Sequence, residues 1–260
     1  MTNVADLAIV SLDTITAYGM DGGLRFILDE LQNATIANSE EKVDITGKAG
    51  RKLNSLKRNK AVTISGTNGL VSAGLMEGQT GSQFAAATDA VVKYHETLYI
   101  KDDAATMTYE ATGTAGAEID ALYVKDADKV AGTLLTQADE AGAGKFTYET
   151  KALKFAADAY PDGTEIVVYY SRKVTGNVLK NLSDSYSEKL RLYIDVTAED
   201  KCSNQYHAQI EIPRADFSGN FELAMGGDQT VHAFEAEALA GSCGGNGELW
   251  SYTVFGVTTA

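Results

Sequence analysis

The chain has 260 residues, 44% of them apolar and 22% charged, enough to bury a core and too apolar for general disorder. Its 36 acidic residues against 22 basic ones give a net charge of −14, which argues against nucleic acid as a tightly held ligand. Glycine is plentiful at 25 and proline scarce at 2, a balance suited to strands and turns rather than long helices.

In chain order, the start "MTNVADLAIVSLD" lacks a basic leader region, and its apolar run is too short for a secretory signal. No stretch approaches the roughly 20 apolar residues of a membrane span, so a soluble protein made in a cytoplasm is expected. Strands are predicted at "GLRFILDEL" and "KAVTISG", with a turn at "TNG". A two-turn helix is predicted in "TNGLVSAGLMEG", capped by Asn68 and carrying Leu70, Val71, Leu75 and Met76 inward. Further strands are read at "ETLYIKD", "EIDALYVKD" and "KFTYETK", with "TQADEAGAGKF" as a Gly/Ala-rich loop and "PDG" as a turn.

"TEIVVYYS" is apolar on both faces, as in a strand covered on both sides. In "EKLRLYIDV", Leu190, Leu192, Ile194 and Val196 take one face, and Arg191, Tyr193 and Asp195 the other. "NQYHAQIEI" runs into Pro213, where the strand must bend, bulge or reach an edge. "FSGNFELAM" reads as one strand with Phe217, Phe221, Leu223 and Met225 on a face, and "SGN" and "GGD" read as turns. "TVHAFEAEAL" and "LWSYTVFG" complete the set. The fold class is therefore mainly all-β, with one short helix and long loops. A single domain over 1–260 is expected, with an inserted lobe over about 95–170 as the second choice.

One stretch departs from the acidic balance. Between Asp44 and Glu77 lie Lys48, Arg51, Lys52, Lys57, Arg58 and Lys60 with no carboxylate, leaving 16 basic against 36 acidic residues elsewhere. A phosphate loop fails on spacing, because Gly47 and Gly50 are followed by Arg51, Lys52 and Leu53. A nucleic-acid strip would lack interleaved aromatics. A solvated loop, or a contact with the acidic surface of an identical neighbour, remains.

Other chemistry finds little support. His95, His207 and His232 lie apart without metal-ligand spacing, and no Gly-x-Ser-x-Gly frame is present. Cys202 and Cys243 sit in similar polar loops, either as free thiols or as a late disulfide. Glu235 and Glu237 alternate on one face, with Glu211 on another strand; an acidic stripe on an exposed sheet face fits them better than a glycosidase pair. No catalytic set, cofactor site or metal site is expected.

The run "YHAQIEIPRADFSGNFELAMGGDQTVHAFEAEALAG" resembles the major tail tube proteins of long-tailed bacteriophages. "VDITGKAGRKLNSLKRNKAVTISGTNGLV" looks like their N-terminal half, and "YPDGTEIVVYYSRKV" fits the same order. The resemblance covers both ends and the centre, with 100–160 departing from simpler members. It implies a β-sandwich or barrel-like subunit with a flanking helix and a long loop. It also implies hexameric rings stacked into a virion tail, assembled in the host cytoplasm around a tape-measure protein. Tail-terminator and tail-tip proteins are the implied partners, and a flexible, non-contractile tail is preferred.

DNA would cross such a tube only in passage, so an acidic lumen is expected, with Glu235 and Glu237 as lining candidates. The basic strip would meet a neighbouring subunit or ring. The rivals are a capsid-decorating or tail-tip protein, a carbohydrate-binding β-sandwich, for which no clustered aromatic platform is visible in sequence, and a hydrolase.

Overall fold

Where every second residue of an extended run is apolar, one face of the strand must be buried, and that period organises most of this chain. The computed structural model describes residues 6–224, 231–240 and 247–258. Strands β1 (Leu7–Gly19), β2 (Leu24–Leu28), β3 (Leu31–Thr46) and β4 (Lys52–Asn68) come first, followed by helix α1 (Ala73–Thr80). Next are β5 (Ala85–Tyr99), β6 (Ala104–Thr106), β7 (Ile119–Lys125), β8 (Ala131–Gln137), β9 (Lys145–Glu149), β10 (Ala152–Lys154) and β11 (Glu165–Val178). The chain ends with β12 (Lys189–Asp200), β13 (Gln205–Phe217), β14 (Leu223–Ala224), β15 (Val231–Ala238) and β16 (Ser251–Thr258). The fold is all-β, barrel- or sandwich-like, with α1 as the α-helix of the described residues. Two compact units result, Met1–Phe84 with Leu179–Ala260, and Ala85–Val178.

In the first unit the strands lie in the order β2-β1-β12-β13-β15-β4-β3, with β14 on β15 and β16 on β13. Leu190, Leu192, Ile194 and Val196 of β12 turn inward together with Ile15, Ile64, Ile212 and Phe234. α1 explains the curl of this sheet. Its glycines at 74 and 78, one turn apart on one face, receive Phe26 of β2; a Cβ on Gly74 would stand 2.6 Å from that of Phe26. Ser72 and Gln79, flanking the helix and on its last turn, bond to His232 and Ala233 of β15. β2 and β15 are four strand spacings apart, about 19 Å in a flat sheet, yet one helix about 10 Å across touches both. The sheet therefore wraps round the helix.

In the second unit the order is β5-β11-β7-β8-β9-β10-β6, over a core containing Ile100, Leu122, Phe146, Ile166, Val168 and Tyr170. Burial, then the neighbouring Glu96 carboxylate, pushes the Tyr170 phenol well above its ordinary range. Its hydroxyl donates to Glu96 at 2.8 Å. Arg172 lies over the ring of Tyr109 at 3.6 Å and within 4.9 Å of that of Tyr94, cation–π contacts for a side chain whose Nε is buried without a hydrogen-bond partner.

Three local expectations are corrected. Asn68 is not the helix cap: it is the buried last residue of β4, and its Nδ2 donates to the Leu70 carbonyl. Ser72 caps instead, accepting from the Leu75 N–H, while Leu70 and Val71 stay exposed. "FSGNFELAM" is not one strand, since β13 ends at Phe217 and β14 starts at Leu223; Met225 and the "GGD" turn lie outside the described residues. Pro213 sits at a bulge, where the register passes from Leu192↔Ile212 to Leu190↔Ala215. There β13 exchanges one neighbour, β16, for another, β15.

Gly74→Ala sets propensity against packing. Alanine favours a helix by about 1 kcal/mol, but the Phe26 contact leaves no room for its methyl, and overpacking costs about 1–3 kcal/mol. Urea denaturation is expected to find net destabilisation of the first unit.

Candidate functional site

β3 and β4 pair from Leu31↔Asn68 to Thr46↔Lys52, but only the root of this hairpin belongs to the sheet. β15 pairs β4 over Thr63–Asn68 alone. Val62 and Ile64 are fully buried, whereas from Ala37 to Lys60 every residue is exposed except the half-buried Val43, Gly47 and Ser55. At the transition, Ser39↔Ala61 is followed by Glu41↔Arg58, an extra residue in β4 that bends and twists the ribbon. Asn59 takes a left-handed φ of 51° there, as asparagine does more readily than most residues, and its amide donates to Glu41 at 2.6 Å. Beyond the bulge the hairpin is a two-stranded arm ending at the turn Lys48–Gly50.

Cross-strand partners share a face. One face of the arm carries Glu41 with Arg58, Val43 with Leu56, and Ile45 with Asn54. Its apolar side chains are solvent-facing, with Leu56 54% and Ile45 42% exposed. The other face sets Lys42 directly opposite Lys57, a like-charge pairing that Glu40 relieves by binding Lys57 at 2.6 Å.

The six cations singled out in sequence thus divide. Lys52, Lys57 and Arg58 are held by Asp44, Glu40 and Glu41 of β3 at 2.6, 2.6 and 2.8 Å. Lys48, Arg51 and Lys60 make no ion pair among the described residues. From Glu40 to Lys60 seven basic residues face three acidic ones, so the arm keeps a positive excess after its internal pairs are counted. The Arg58 guanidinium, then the Asn59 amide, holds the Glu41 carboxyl below its ordinary value.

Glu235 and Glu237 are both exposed on β15, while Phe234, Ala236 and Ala238 between and beside them face the core. Ser65 and Thr63 lie across from them on β4, and Asp216 lies across from Glu237 on β13. Glu211 is separate, meeting Arg191 at 3.9 Å. The histidines are not brought together: His95 stacks on Tyr169, His207 faces Phe255, and His232 is buried. Cys202 is exposed, and Cys243 lies outside the described residues. Among the described residues no His, Cys, Asp and Glu cluster has metal-binding geometry.

Two features escaped the sequence. Among the described residues, 7–14 of β1 pair only with β12 and β3 only with β4, so both present unpaired edges. Between them opens a groove of about 440 Å³ lined by Ile9, Val10, Leu12, Ala34, Ile36 and Val196. In the second unit, His95, Tyr169 and Tyr123 form a row across β5, β11 and β7, with centroids 5.6 and 6.3 Å apart. Tyr169 is 42% exposed.

A sheet with free edges, an apolar groove and a charged arm define a structural protein rich in contact surface. A family model described as the YomU/Tube protein family matches residues 7–250. The chain belongs to that family, and it is a phage tail tube protein. No curated protein matches the chain.

Arg58→Ala removes the main cause of the low Glu41 value. NMR titration is expected to find that carboxyl moved up toward the ordinary glutamate range, with only the Asn59 contribution left.

Proposed function

We propose that copies of this chain join head to tail into hexameric rings, and that the rings stack into the tail tube through which the genome leaves the head. The observation that carries this reading is the arm. A ribbon of this length with neither face covered by the described residues is out of place on a solitary subunit, and heterologous contacts that close in a ring and repeat along an axis give a use for it. Unpaired strand edges join naturally between subunits.

In this reading Ala85–Val178 is a lobe inserted in the tube-forming unit. Lys48, Arg51 and Lys60 meet carboxylates of a neighbouring subunit or ring, and Lys52, Lys57 and Arg58 brace the arm. Glu235 and Glu237 line the bore. An acidic wall repels DNA weakly, since the Debye length is about 8 Å at physiological salt; a basic wall would bind phosphate after phosphate. The tape-measure protein fills the tube during assembly in the host cytoplasm, and terminator and tip proteins cap it.

Electron microscopy of the concentrated protein tests the reading, with hollow filaments expected. Reversing Lys48, Arg51 and Lys60 together to Glu is expected to abolish filaments. Melting and circular dichroism should stay unchanged, because exposed substitutions usually act within about 0.5 kcal/mol. Normal filaments from the triple variant would remove the arm from the assembly contact. A monodisperse wild-type monomer would point to capsid decoration instead.

The aromatic row of the second unit favours a second, compatible reading, in which that lobe binds carbohydrate. Calorimetry with oligosaccharides, comparing the wild type with Tyr169→Ala, is expected to find binding that the variant loses.

A further inference from the structure

His232 of β15 is a buried titratable residue whose side chain strand pairing does not use. It is 0% exposed, and both ring nitrogens are engaged with α1. Nδ1 receives the backbone N–H of Ser72 at 3.3 Å, and Ser72 is also the residue that caps the helix. Nε2 lies 2.8 Å from Oε1 of Gln79, which is on the last turn of the same helix. One imidazole thus grips α1 before its first turn and on its last.

These contacts fix the protonation state. A backbone N–H can only donate, so Nδ1 must be the unprotonated nitrogen. The Gln79 amide is oriented independently, since its Nε2 donates to the Ala233 carbonyl at 2.9 Å. That leaves Oε1 to accept from a protonated Nε2. Only the neutral tautomer with hydrogen on Nε2 satisfies both ends. A second proton on Nδ1 would set N–H against N–H at Ser72 and place a charge in a buried site.

The surroundings offer that charge no counterion among the described residues. From the helix side the ring meets Gln79 and Ser72, and Phe221 packs against it with centroids 5.7 Å apart. Across the strands it faces Asn68 of β4 and Leu223 of β14. Glu77 of α1 is occupied by the Phe84 N–H, Glu222 reaches β15 through its carbonyl, and Glu235 and Glu237 of β15 are exposed. Burial alone pushes the imidazole below its ordinary value. Asn68 has its Oδ1 buried without a hydrogen-bond partner, a vacant acceptor on the residue opposite the histidine.

We infer that His232 is an acid-operated latch on α1: a second proton on the imidazole sets N–H against N–H at Ser72 and releases the capped end of the helix, which leaves the sheet before the strands unfold. The inference does not depend on tube assembly. Because the native state holds the neutral ring, its stabilising effect is complete above the ordinary histidine range and is lost as pH falls through and below that range.

Hydrogen exchange read by mass spectrometry on the full chain, from about pH 7.5 to about 4.5 and corrected for intrinsic rates, tests this across the histidine range. In the wild type the opening of Ser72–Gly81 is expected to rise by up to about tenfold per pH unit below the free-histidine value, as one proton requires. Peptides from β12 should stay protected, and His232→Gln should lose the pH dependence. PH-independent opening of α1, opening together with β12, or the same pH dependence in His232→Gln would each overturn the latch. Should His232→Gln fail to fold, nitrogen NMR of the wild-type imidazole decides: hydrogen on Nε2 at neutral pH, with protonation coincident with α1 opening, supports it, and any other result overturns it.

Discussion

Unpaired main-chain hydrogen-bonding groups along strand edges are the constraint on which the first unit turns. Among the described residues β3 pairs with no second strand, and β4 pairs with none but β3 on the tip side of Thr63. Such ribbons are sticky toward any extended chain, and charged side chains and bulges are the usual protection. The arm carries both. Three ion pairs cross it, and the bulge at Asn59 turns it away from the line of the sheet. Exposed pairs of this kind add little stability; their value here is to keep both faces charged and hydrated. The same construction leaves Lys48 and Arg51 at the tip and Lys60 at the bend without an ion pair among the described residues. Within one block, some cations are thus paired across the arm and others are left to solvent.

The parts of the fold legible in sequence are those with one wet face and one dry face. β12 alternates because Leu190, Leu192, Ile194 and Val196 enter the core while Arg191, Tyr193 and Asp195 do not. β15 alternates for the same reason, which placed Glu235 and Glu237 outside correctly. The arm has two wet faces, so its strands carry no apolar period, and β3 went unrecognised as a strand of 16 residues. In the linear sequence the basic block ends at Asp44. In space Asp44, Glu41 and Glu40 fold back along it, because an antiparallel hairpin brings the approach to its turn alongside the departure. β1 was hidden differently: register shifts between Ile9 and Ser11 and between Leu12 and Thr14 break the alternation that would have marked "LAIVSLD" as a strand.

Polar residues misled where they are buried. Asn68 has the chemistry of a cap and stands before an apolar run, yet its side chain serves Leu70 from inside the sheet. The true cap, Ser72, lies four residues later and is itself positioned by His232. Sequence-local rules weigh a residue by what its near neighbours need. Here the decisive neighbour is 160 residues away in the chain, and no local window contains it.

That long-range bond also bears on how so short a helix exists. Eight residues are too few to hold a helix in water, since nucleation fixes several residues for the first hydrogen bond, and glycines at 74 and 78 lower the propensity further. The glycines are needed because Phe26 must come close on one side, and the polar grip of β15 on the other side offsets what they lose. Apolar contact alone would let the helix slide or turn on Phe26; hydrogen bonds to two fixed atoms of one ring do not. The register of α1 and the tautomer of a single imidazole are therefore set by the same two contacts.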